Sequence, residues 1–155
     1  MAFDNTNPTQ LQQLYDEWNL DPAGVGYATA NNTTQLLVLT NEPENNPGGE
    51  TQSRPFALDS MMDALDPVDY NANQMINGGP EYINSLILFG TQFGDIGPYE
   101  AKFRSVFAGI PGADTITALD AQTVALSRAD VLWGYETNIT RNDYIAMLEI
   151  IGNPL

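Results

Sequence analysis

The chain contains no cysteine and no histidine in 155 residues. Without cysteine there is no disulfide, no thiolate metal ligand and no sulfur nucleophile. Without histidine the commonest general base near neutral pH and the commonest metal ligand are both missing. A Ser-His-Asp triad or an HExxH zinc site therefore cannot be built. Positive charge is also scarce, with five Lys/Arg against 20 Asp/Glu and a net charge of −15. Nucleic-acid binding rests on Lys/Arg clusters that neutralise phosphates, so no direct, sequence-specific contact with DNA or RNA is expected. The single lysine, Lys102, has no preceding glycine, which excludes a P-loop. Gly24-Val25-Gly26 lacks the third glycine of a dinucleotide-binding turn. No apolar run reaches the roughly 18 residues of a membrane span. The start, Met1-Ala2-Phe3-Asp4-Asn5, has neither the basic nor the apolar region of a signal peptide. The expectation is a chain made in the cytoplasm that does not enter a membrane.

Carboxylates remain as the only abundant reactive groups. Asp16/Glu17, Asp63/Asp66 and Asp66/Asp69 are close in sequence. Glycosidase chemistry needs two acids held across a cleft, one with a raised pKa, and neighbours in sequence do not supply that. Capping of helix N-termini explains Asp66 and Asp59 more simply. Asp4-Asn5-Thr6-Asn7 and Asp66-Pro67-Val68-Asp69-Tyr70-Asn71 are rich in oxygen, yet neither has the spacing of an EF-hand loop. No catalytic, cofactor or metal residue is assigned, and the chain is read as a non-enzyme.

The acids are unevenly spread. Fourteen of the 20 precede Lys102, where Arg54 is the only base. A solvated, solubilising surface is the simpler meaning of such acidity; a face for a basic partner is the sharper one.

Helix signals are well punctuated. Asn7-Pro8 pairs an N-cap with proline at the first helical position, followed by Leu11, Leu14, Tyr15 and Trp18 on one face. Asn32 can cap a segment through Leu36–Leu39 that reads as a helix or as a buried strand. Further starts are expected at Asp59 or Ser60, at Asp66-Pro67, at Gly79-Pro80 with Gly90 as the stop, and at Gly97-Pro98. A helix from Asp114 or Thr115 is expected to carry Ile116, Leu119, Val124 and Leu126. Ser127-Arg128-Ala129-Asp130 and Thr140-Arg141-Asn142-Asp143 resemble capping boxes with aspartate as the fourth member. The pattern predicts an all-α fold, a compact orthogonal bundle of six to eight short helices with long loops. It is read as a single helical domain over 1–155, with 1–7 an extended arm and 41–55 a mobile or partner-ordered loop. Phe3, Phe56, Met61 and Met62 flank these segments and are candidate protein-interface anchors; packing into the chain's own core is their alternative.

Two stretches carry a resemblance. One runs from Leu14 to Ala28 and includes Leu20-Asp21-Pro22-Ala23-Gly24-Val25-Gly26-Tyr27-Ala28; the other runs Ser127-Arg128-Ala129-Asp130-Val131-Leu132-Trp133-Gly134 and on to Asp143. Together they resemble a family of small helical proteins from tailed bacteriophages. Its members carry an Asp-Pro-x-Gly-x-Gly-Tyr-Ala turn and a Ser-Arg-Ala-Glu-x-Leu-x-Gly pattern followed by Thr-x-Val-Thr-x-x-Asp-Val. This chain departs from it at Asp130, in place of glutamate, at Asn138-Ile139, and at Tyr144, in place of valine. The resemblance implies a structural protein of the virion, in the neck or head–tail connector or in the tail, docking as a homo-oligomeric ring on portal, tail or capsid proteins. A capsid decoration protein is the alternative position. A non-virion acidic protein that mimics DNA is the alternative class.

Overall fold

The computed structural model describes residues 2–72 and 78–154. Among them are nine α-helices: α1 (Pro8–Leu20), α2 (Thr33–Asn41), α3 (Leu58–Ala64), α4 (Pro67–Tyr70), α5 (Gly79–Phe93), α6 (Glu100–Ser105), α7 (Asp114–Ala121), α8 (Arg128–Trp133) and α9 (Arg141–Ile150). Single 3₁₀ turns occupy Tyr27–Thr29, Pro43–Asn45 and Gly97–Tyr99. The only sheet among these residues pairs β1 (Thr51–Ser53) with β2 (Thr123–Ala125). The fold is mainly α, as the helix signals require. No helix among the described residues is long and apolar enough to cross a membrane.

The chain forms two compact units, whereas the sequence reads as one domain. Unit 1 comprises Met1–Gln52 and Ala125–Leu155, and unit 2 comprises Ser53–Val124. Each has a core of its own.

Unit 1 is built on α1. The Asn7 side chain accepts hydrogen bonds from the backbone amides of Thr9 and Gln10, and Pro8 opens the helix. The predicted stripe then buries Leu11, Leu14 and Trp18 almost completely. α9 packs along α1, and α2 packs against α8 and α9. Asn32 caps α2 through the Gln35 amide, so the ambiguous apolar run is a helix. Both expected aspartate boxes form: Ser127 with Asp130, and Thr140 with Asp143. The second oxygen of Asp130 also accepts from the Thr137 amide at 3.1 Å. Asn41 exchanges two hydrogen bonds of 2.8 Å with the backbone of Ile139, which fixes the approach to α9.

Unit 2 gathers Phe56, Met61, Ile83, Leu86, Ile96, Phe103, Val106 and Phe107 into its core. α3 packs on α5 and α7. Asp66 caps α4 as expected, and the carboxylate of Asp69 accepts from the buried Thr115 amide at 2.7 Å. α5 does not stop at Gly90. It continues to Phe93 and ends at Gly94, which has a φ of 91°. Gly90 is in mid-helix because a β-carbon there would lie 3.2 Å from Ile96 and 3.4 Å from Leu58. Its role is close packing between elements, not termination.

Other expectations change in the same direction. Val124 lies in β2 and not in the helix from Asp114, which ends at Ala121. The 41–55 segment holds a 3₁₀ turn, β1 and a buried Asn46, whose amide donates to Glu50 and to the Leu126 carbonyl. The 1–7 segment, apart from Met1, which lies outside the described residues, is turned back on unit 1: the Asn7 amide donates to the Asp4 carbonyl.

Candidate functional site

The two motifs that carry the resemblance meet at one buried carboxylate. Arg128 grips Glu17 with Nε to Oε1 at 2.7 Å and Nη2 to Oε2 at 2.9 Å. The Tyr27 hydroxyl donates to the same Oε1 at 3.0 Å. Beside them the Trp18 indole donates to Thr40 Oγ1, whose hydroxyl donates to the Leu36 carbonyl. Glu17 sits on the inward face of α1 between Leu14 and Trp18, so the helix itself aims it into the core.

The Asp-Pro-x-Gly-x-Gly turn delivers Tyr27 to this point. Asp21 takes a left-handed conformation at the end of α1, and its two carboxylate oxygens accept from the amides of Val25 and Gly26. Gly24 and Gly26 both have positive φ, a backbone that a side chain would strain. The Ser127 box starts α8 and thereby orients Arg128. Burial and the nearby charge of Glu17 hold the Tyr27 hydroxyl far above the ordinary tyrosine range. The hydrogen bond to Glu17 keeps the guanidinium of Arg128 firmly protonated. Neither the Asp21 clasp nor the Glu17 junction is legible from motif chemistry alone. A charged residue on the apolar stripe of α1 was the available signal.

The four interface candidates separate. Phe56 and Met61 are core residues of unit 2, with the Phe56 ring 5.2 Å from that of Phe103. Phe3 is half-buried against the unit 1 core, its ring edge-on to Trp133 at 4.9 Å. Only Met62 is exposed. It borders a groove of about 300 Å³ on unit 2, lined by Leu65, Pro67, Tyr70, Asn84 and Ile87. Val68, Leu88 and Phe93 are further exposed apolar side chains of unit 2, and sequence reasoning missed them. Unit 1 likewise exposes Leu20 and Ile150.

No known protein family, curated protein or solved structure matches this chain.

Many of the acids have structural partners. Asp59 and Asp63 both hold Arg54, and Glu100 and Asp120 both hold Arg104. Asp59 is not a cap, because α3 begins at Leu58 with Ala57 at the N-cap position, and Asp16 accepts from Gln12. Asp4 closes a turn on Thr6, and Asn71 donates to the Pro67 carbonyl, so the two oxygen-rich stretches make local bonds. Among the described residues no three Asp/Glu side chains are grouped to hold a metal. The charge gradient along the sequence also does not map onto the units: unit 1 has eleven acids and two bases, and unit 2 has nine and three.

Proposed function

We propose that the chain is a structural component of a tailed-phage virion, in the neck or head–tail connector or in the tail, working by protein–protein docking in a ring and not by catalysis. One observation carries the reading: the residues that resemble the phage family converge on Glu17, where they serve shape. Asp21 clasps a turn, Ser127 starts a helix, and Tyr27 and Arg128 close on one carboxylate. Such a network fixes a fold and offers no solvent-reached reacting group. The exposed apolar side chains of unit 2 suit docking on neighbouring proteins. Carboxylates tied to arginines, amides and hydroxyls within the chain suit phosphate mimicry poorly.

Electron microscopy of virions labelled with an antibody against this chain tests the position. Label at the neck or along the tail is the expected result. Label over the whole head would favour a decoration protein, and no label would reject a virion role. A stable monomer that binds a basic host protein in a salt-sensitive way would favour mimicry.

A further inference from the structure

We infer that the segment Ala2–Thr6 is an exchangeable arm, and that in the ring it seats on unit 1 of a second copy in the place where it lies on its own. The inference rests on the ring reading above.

The occupant of the seat is visible because the chain supplies it. Phe3 meets Trp133 edge-on at 4.9 Å. The Asp4 amide donates to Gln10 Oε1, and the Asn5 side-chain amide donates to Asp143 Oδ1 at 2.8 Å. These interactions stand at the surface: Ala2, Asp4 and Thr6 are exposed, while Phe3 and Asn5 are half-buried. The seat belongs to two helices of unit 1: Trp133 ends α8, and Asp143 is part of the Thr140 box at the start of α9. Beside it runs an open groove of about 420 Å³, lined by Asn7, Gln10, Gln13, Leu132 and Trp133. An incoming segment can therefore reach the seat from solvent. The join between arm and body is Asn7-Pro8, where the helix begins and the chain direction is set. Opening the Asp4–Asn7 turn at this join would release the arm while leaving α1 intact.

The bonds that the arm gives up on its own body form again on the body of the second copy, so exchange is a low-cost route to association. Exchange in one direction around the assembly is head to tail, whereas reciprocal exchange stops at a two-fold dimer. Repeated around a rotation that closes, the head-to-tail join makes a ring.

The absence of cysteine makes the test clean. Chains carrying Ala2→Cys are mixed with chains carrying Gln10→Cys and treated with a short bismaleimide. The expected product is a mixed covalent dimer whose linked peptides join positions 2 and 10, and Phe3→Ala in the first chain should abolish it. The A2C/Q10C double variant shows that the seat is folded when it links within one chain. Intrachain linkage alone, with no mixed product up to the concentrations at which the chain associates, would overturn the inference. Its failure is separable from that of the virion reading: exchange in a protein absent from virions defeats only the latter, and a virion protein that links only within itself defeats only the former.

Discussion

Glu17 and Arg128 stand 111 positions apart and form a two-pronged ion pair from which water is almost wholly excluded. A buried pair of this kind is costly to break from one side, because the surviving charge is left without compensation. Arg128→Ala should therefore destabilise unit 1 by about 3–5 kcal/mol. Arg128→Lys should recover part of that loss, because an ammonium keeps the charge without the planar fork. Urea titration followed by tryptophan fluorescence reads the effect, since both tryptophans lie in unit 1. An unchanged midpoint for Arg128→Ala would mean that the pair does not contribute to unit 1 stability.

The same junction predicts a sensitivity to alkali. The Tyr27 hydroxyl keeps its proton in the folded state far above the ordinary tyrosine value, raised first by burial and then by the charge of Glu17. The unfolded chain releases that proton near pH ~10. Its contribution is complete below that pH and is lost progressively as the pH rises further. The slope approaches about 1.4 kcal/mol per pH unit for one proton. Thermal unfolding at pH 8 and at pH 11 should show a smaller drop for Tyr27→Phe than for the parent chain. Equal drops would assign the alkaline loss to other groups.

Two adjacent methionines make a contrast within unit 2. Met61 is fully buried, whereas Met62 is 47% exposed at the groove edge. Met61→Ala should cost about 2–5 kcal/mol through lost burial and the cavity left behind. Met62→Ala should stay within about 0.5 kcal/mol, as for an ordinary surface site. Chemical denaturation followed by circular dichroism distinguishes the two; equal losses would mean that Met62 is also part of the packing.

A fourth expectation concerns the loop that reads from sequence as unstructured. Asn46 donates to both Glu50 and the Leu126 carbonyl, and it is buried. Asn46→Ala should cost about 1–3 kcal/mol by leaving polar groups without a partner. It should also speed proteolysis of the 41–55 segment. A variant with unchanged stability and cleavage would restore the picture of a loose loop.

Local signals were legible and long-range ones were not. Asn7, Asn32, Asp66, Ser127 and Thr140 each announce a helix start because their side chains bond amides within three residues, a distance that sequence displays. Gly90 misleads as a stop signal because its smallness serves Ile96 and Leu58, neighbours that meet it only on folding. Val124 fits a helical period yet joins a strand that pairs with a segment some seventy residues earlier. The division into two units escapes for the same reason, since unit 1 is assembled from both ends of the sequence. At the candidate site, Phe56 and Met61 have the apolar character of anchors, but burial, which composition does not carry, makes them core.

The central claim is that this chain is a virion part held by docking in a ring. Quantitative mass spectrometry of purified virions of a tailed phage that encodes the chain tests it most directly. The account predicts its peptides at a low copy number fixed relative to the portal protein, as a ring at the neck or tail requires. Virions that contain no peptide of this chain would contradict it.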